Sequence, residues 1–181
     1  HGFGGTVHRG RAENRAMVRV VKADLKALGD LDLAAYDAFA MVDTQPRTGN
    51  NSLPDSIRPD VVIDHHPARP QTRRCRFHDI RTRFGATATM MYEYLRAARF
   101  RLDADLATAL FYGIRSETQA LTREVSLADR DAYVGLLPIA EFKKISEIEH
   151  AAASREHFRG MGAALAGSTL YGDVAIPALG E

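Results

Sequence analysis

Four residues of this chain combine types and spacing suited to divalent-metal chemistry. Asp64-His65-His66 closes the apolar run Asp60-Val61-Val62-Ile63, and Asp43 closes a second run, Phe39-Ala40-Met41-Val42. Hard or borderline ions such as Mn²⁺ and Mg²⁺ take carboxylate and imidazole ligands. Open α/β sheets bind ligands outside the carboxyl ends of their strands. Two buried-type strands that each stop on a ligand-type residue therefore predict convergence at one sheet edge. On spacing alone, the ordinary alternative is an Asp-His-His run in a solvated surface loop.

The elements that must position these residues are read from periodicity and turn chemistry. Ala12, Ala16, Met17 and Val20 recur at helical spacing and predict a helix over Gly10–Val21. Asp24–Leu28 reads as a short strand closed by a Gly29-Asp30 turn. The Phe39–Asp43 strand runs into a polar loop, 44–54, and Pro67 with Pro70 breaks the chain soon after the Asp60–Asp64 strand. A third strand is expected within Arg74–Ile80. Helices are expected over Ala86–Ala98 and Ala104–Ile114, the second capped by Asp103, and another begins at Ser126 with Asp129 in capping-box spacing. Ile148, Ala151, Ala152, Phe158, Met161 and Leu165 outline a long final helix. Strands alternating with helices, then a helical tail, predict an α/β fold: a mainly parallel Rossmann-like sheet flanked by helices and followed by a helical segment.

Composition narrows the function classes. At 45% hydrophobic and 26% charged, the 181 residues can bury a core and keep a soluble surface. The net charge of +1 excludes any argument from bulk charge, so a nucleic acid would need a local patch. The single cysteine, Cys75, cannot form an internal disulfide, which favours a reducing compartment. No apolar stretch has membrane-spanning length. A cytoplasmic protein without a membrane partner is expected. The chain opens on His1-Gly2-Phe3-Gly4-Gly5 and ends on a strand-like Gly172–Pro177, so it reads as a piece of a longer protein.

The ligand-type residues also carry a resemblance. Asp43 and Asp64-His65-His66-Pro67 resemble the second and third motifs of the DHH phosphoesterase superfamily, which includes RecJ-type exonucleases, oligoribonucleases and family II pyrophosphatases. Val42-Asp43-Thr44-Gln45-Pro46 with Gly49-Asn50-Asn51-Ser52-Leu53-Pro54 is similar to its nucleotide-hydrolysing branch, more than to the pyrophosphatases. Gly113-Ile114-Arg115-Ser116-Glu117-Thr118 is similar to the fourth motif, with Glu117 where the family offers an aspartate. The likeness runs from about Gly10 to Gly172.

That resemblance implies roles residue by residue. Asp43 would bridge two ions, His65 would ligate the second, and Glu117 would take the fourth-motif position. His66 would lie beside the scissile phosphate, and Asp64 would orient a histidine, so these two are the catalytic candidates. Arg115, Asn50 and Asn51 are the substrate-binding candidates; for the two asparagines, shaping turns is the ordinary alternative. Two Mn²⁺ (or Mg²⁺) ions would clamp the attacking and leaving oxygens of an in-line displacement, so no protein nucleophile is required. The implied activity is hydrolysis of phosphodiester or phosphomonoester bonds in small nucleotides or short oligoribonucleotides. A homodimer is compatible with it. Residues 1–145 would be the catalytic α/β domain, and 146–181 a connecting helix and the start of a C-terminal substrate domain.

Two departures support a different class, a non-catalytic nucleotide-binding or regulatory module. Glu117 carries an extra methylene, and the family's first motif, an Asp-x-Asp with a nearby His, is absent before Gly10. His1 and His8 read as surface residues rather than substitutes.

Other candidates are weaker. Arg69, Arg73, Arg74, Arg76, Arg81 and Arg83 could form a phosphate funnel or simply keep an edge strand soluble. Gly85-Ala86-Thr87-Ala88-Thr89 opens a helix, where free N–H groups suit an anion but more often an ordinary cap. Arg11, Asn14 and Arg15 match the branch without an assigned role. His78, His150 and His157 read as surface residues, Met90 and Met91 as core, and Cys75 as structural.

Overall fold

Three short parallel strands form the frame of the ligand residues in this computed structural model, which describes residues 12–123, 125–151 and 155–176. Val61–Asp64 (β2) lies between Ala40–Val42 (β1) and Phe77–Ile80 (β3). Register places Ala40 opposite Val61 and Val61 opposite Phe77. The β-branched run Val61-Val62-Ile63 suits a pleated central strand, and Val62 is fully buried with Met41 and Cys75. The α/β class is as expected: a parallel sheet with helices packed beside it.

The expected alternation of strand and helix is corrected. β1 connects to β2 through residues 43–60, and β2 to β3 through 65–76, with no α-helix between them. Pro46, Pro54, Pro59, Pro67 and Pro70 lie in these connections, and proline removes backbone donors that a helix interior needs. A tight 3₁₀ turn, Thr72–Arg74, occupies the start of the third expected strand, so β3 begins at Phe77. Asp24–Leu28 forms no strand either; a 3₁₀ turn spans Leu28–Asp30. Leu25 is half exposed there, so the segment has no apolar face to bury against the sheet.

The helices make a second core beside the sheet. Ala12–Val20 (α1), Thr87–Ala97 (α2), Ala104–Glu117 (α3), Leu127–Leu136 (α4) and Phe142–Glu149 (α5) are the elements concerned. Phe111, Ile114, Leu136 and Ile145 are buried between them. Asp103 caps α3, its carboxylate accepting from Leu106 N at 2.8 Å. Gly113 allows α3 to approach α2 closely, since a Cβ there would sit 3.1 Å from that of Ala88. Met90 is buried as expected, and burial pushes the Cys75 thiol up.

The single long final helix is also corrected. α5 ends at Glu149, and a separate helix, Arg155–Ala166 (α6), comes after it. Ile148 is buried with Val20 and Tyr112, whereas Phe158, Met161 and Leu165 are exposed. One apolar spacing therefore serves two surfaces. Beyond α6, Thr169–Tyr171 (β4) and Val174–Ile176 (β5) form an antiparallel hairpin. His1, His8, Gly10, Arg11, Ala152 and Pro177 lie outside the described residues, as does the side chain of His157. No helix among the described residues is long and apolar enough to cross a membrane.

Candidate metal centre

The two strand ends do converge. One ligand atom each from Asp43, Asp64, His65 and His66 gathers within 4.8 Å. Asp43 comes directly after β1, in the left-handed backbone region at φ 62°. Asparagine and aspartate tolerate that region best among side-chain-bearing residues. The turn is held by its own N–H, which donates to Ile63 O at 3.0 Å. The Asp43 carboxylate meets the first residue of α2, where the Thr87 hydroxyl donates to Oδ1 at 2.8 Å.

The two histidines are presented differently. His65 Nδ1 lies 3.0 Å from Phe84 O. A carbonyl can only accept, so Nδ1 carries a proton, and in the neutral ring Nε2 is then the nitrogen with the lone pair. That Nε2 is buried without a hydrogen-bond partner among the described residues. It faces Asp43 Oδ1 at 3.6 Å, too long for a hydrogen bond. His66 is half exposed, and its Nδ1 lies 2.8 Å from Asp64 Oδ1. Its Nε2 is thereby left as the free ring nitrogen. The two rings meet edge to face at 4.3 Å.

Asp64 belongs to the cluster by distance but not by valence. Its side chain is 1% exposed, and both oxygens are engaged. Oδ1 accepts from His66 N and the His66 ring, and Oδ2 accepts from Gln45 Nε2 at 2.8 Å. Burial alone would raise this carboxyl, but the bonds from His66 and Gln45 outweigh it and hold it below the usual carboxylate range. Asp64 therefore spends its oxygens on Gln45 and His66, and it fixes the His66 ring through Nδ1.

Gln45 is a residue whose place in the site no sequence pattern assigned. It is 1% exposed, in a polar loop where its neighbour Thr44 is also buried. Its amide donates to Asp64 and toward the carbonyls of His66 and Pro67, while Oε1 accepts from Arg69 N at 2.8 Å and Thr72 Oγ1 at 2.7 Å. Thr87 and the Phe84 carbonyl were likewise unassigned. Only the family-like segment Val42–Pro46 drew any notice to Gln45.

Of the remaining candidates, Arg115 and Glu117 share a cleft with Asp43. A cleft of about 900 Å³ is lined by Asp43, Thr87, Arg115, Glu117, Arg123 and Glu149, among others. Glu117, the last residue of α3, is on this wall but not among the four gathered ligand residues. Arg115 donates to Glu149 at 2.5 Å and to Tyr133 Oη at 3.1 Å. The hydrogen bonds it donates to Glu149 and Tyr133 hold its guanidinium pKa above the ordinary value. Asn50 and Asn51 are used within their own loop: Asn50 Oδ1 accepts from Thr44, and Asn51 Nδ2 donates to Gln45 O at 3.0 Å. Asn51 lines a smaller cavity, of about 230 Å³, with Arg47, Arg58 and Arg74. Arg69, Arg73, Arg74, Arg76 and Arg83 are exposed, whereas Arg81 is bound to Asp79 and Glu93.

Comparison with known proteins agrees with the fold. The chain is 32% identical, over 99% of its length, to an uncharacterized protein of Methanocaldococcus jannaschii, and it spans 36% of that protein. It superimposes on the crystal structure of an exopolyphosphatase-related protein from Bacteroides fragilis with a TM-score of 0.51. That match has 17% identity and covers 61% of this chain and 33% of the other. No family model matches. The α/β fold is thus of a kind found in an exopolyphosphatase-related protein.

Proposed function

We propose that this chain is the metal-binding core of a phosphoesterase of the DHH type, acting on phosphodiester or phosphomonoester bonds of small nucleotides or short oligoribonucleotides. The observation that supports it most is His65 Nε2, a buried lone pair with no hydrogen-bond partner among the described residues, aimed beside the Asp43 carboxylate. Burying an imidazole nitrogen without a partner is costly, and a cation held beside the Asp43 carboxylate would give His65 Nε2 one. The donor set of carboxylate and imidazole fits Mn²⁺ or Mg²⁺. Bound there, such ions would supply Lewis-acid activation and charge neutralisation at a phosphoryl group.

The protein's own residues would do the rest. Phe84 O and Thr87 would fix the ligand atoms, and Asp64 would hold the half-exposed His66 ring through Nδ1. Arg115 on the cleft wall is placed to meet an anionic substrate, with Glu117 on the same wall as an accessory carboxylate. Asn50 and Asn51 would act on substrate through the loop they brace. Residues 1–145 would form the catalytic part, and 146–181 would lead to a substrate domain. A cytoplasmic homodimer suits this reading.

A non-catalytic nucleotide-binding module is the second reading, favoured by the position of Glu117 outside the four-residue cluster. Mn²⁺-dependent release of mononucleotide from a 5′-phosphorylated dinucleotide decides between them, measured on the intact gene product. Turnover that falls roughly 100-fold or more in Asp43→Ala is the expected result. A folded protein with no turnover and no Mn²⁺ binding overturns the enzyme reading.

A further inference from the structure

Asp129 is a fully buried carboxylate on α4, outside the Asp43–His66 cluster. Part of its role is local. It completes a capping box with Ser126, whose N–H and hydroxyl both donate to Oδ2 at 2.7 Å. A cap alone does not require burial, because capping boxes work at solvent-exposed helix ends. The remaining bonds reach across the fold. Gly85 N donates to Oδ2 at 2.8 Å, and the Thr89 hydroxyl donates to Oδ1 at 2.5 Å. Burial would raise this carboxyl, but the Thr89, Ser126 and Gly85 bonds outweigh it, so it is held as an anion.

The Gly85 N–H and the Phe84 C=O belong to one peptide group. In a trans peptide they point in opposite directions from one rigid plane, and the described residues contain no cis bond. Asp129 grips the N–H side of that plane, and His65 Nδ1 donates to the C=O side at 3.0 Å. We propose that Asp129 is a positioning residue for the metal centre, holding His65 through the Phe84–Gly85 peptide. Histidine ligands are ordinarily oriented by a carboxylate or carbonyl on the far ring nitrogen. Here a carboxylate and a carbonyl act in series. Thr89 extends the same grip to the first turn of α2, two residues after the Thr87 that bonds Asp43. The proposal rests on the metal reading of Asp43 and His65.

The test uses two readouts in the intact protein: the His65 Nδ1–H proton signal by NMR without metal, and Mn²⁺ affinity. Asp129→Ala is expected to abolish the slowly exchanging N–H signal and to weaken Mn²⁺ binding by about tenfold or more. Asp129→Asn is expected to keep both within about threefold of the native values, because its carbonyl can accept from Gly85 while its amide donates to the Thr89 hydroxyl, which turns to accept. Leu136→Ala, a cavity on the same helix, is expected to lower stability and leave both readouts unchanged. An Asp129→Ala protein that keeps the signal and the affinity overturns the proposal, as does an equal loss in Leu136→Ala. Should Asp129→Ala not fold, Thr89→Val carries the test: weakened Mn²⁺ binding supports the proposal, and unchanged binding overturns it. If the native protein binds no Mn²⁺, the metal reading fails, while the N–H signal still reports whether Asp129 holds His65.

Discussion

The strand wall, where Asp43, Asp64 and His65 gather, and the α3 wall of the cleft beside Asp43 are built by different means. On the strand side, Asp43, Asp64 and His65 are held by bonds to buried or peptide groups: Thr87 on Asp43, Gln45 on Asp64, Phe84 O on His65. On the α3 side, Arg115, Glu117 and Glu149 stand partly in solvent, and Arg115 is steadied by an ion pair and a tyrosine hydroxyl. Hydrogen bonds in a low-dielectric interior are rigid and costly to lose, whereas exposed ion pairs are screened and exchange readily with water. The strand wall is therefore rigid and the α3 wall adaptable; in the proposed phosphoesterase the first would fix ligand geometry and the second would meet substrate.

The contrast breaks most sharply at Gln45. Gln45→Ala strips Asp64, Arg69 N and Thr72 of buried partners at once, and a loss of about 3 kcal/mol in urea unfolding is expected, at roughly one to three for each stranded group. A loss below about 1 kcal/mol would mean that water replaces the amide and that the strand wall is not rigid.

Acid probes the same wall. Asp64 and Asp129 both have folded pKa values held below the unfolded one, so each contributes stability above the ordinary carboxylate value. That contribution is fully present at neutral pH and is lost as pH falls from about 4 downward through the folded values. Thermal midpoints measured from about pH 6 to about pH 2.5 should drop accordingly, and Asp64→Asn should flatten the curve. An unchanged slope in Asp64→Asn would assign the acid sensitivity elsewhere.

The α3 wall should respond least. The Arg115–Glu149 pair is about one-third exposed on both sides, so Glu149→Gln should cost about 0.5 kcal/mol or less. Its signature should be a changed KM for an anionic substrate rather than a changed fold. A loss as large as that of Gln45→Ala would erase the distinction between the walls.

Legibility in the sequence divides along the same line. Asp43 and His65 could be read because a buried strand that stops on a ligand-type residue is a local pattern. The Ser126–Asp129 capping box, the Asp103 cap and the burial of Met90 were legible for the same reason. Gln45 was not, since a glutamine among Pro, Thr and Asn looks like any loop residue. The break after Glu149 was hidden because apolar spacing continues through it although the surfaces it serves differ.

Local order along the chain determined the residue types at the strand ends, the turns and caps that frame them, and the α/β class. Those signals act over a few residues, where steric limits and hydrogen-bond valence are already decisive. Tertiary structure alone decided which lone pair remains free. His65 Nε2 is available because a carbonyl 19 residues away takes the opposite nitrogen, and that carbonyl's peptide is gripped by a carboxylate 44 residues further on. Hydrogen-bond satisfaction of buried groups is a property of the folded whole, and no spacing along the chain encodes it.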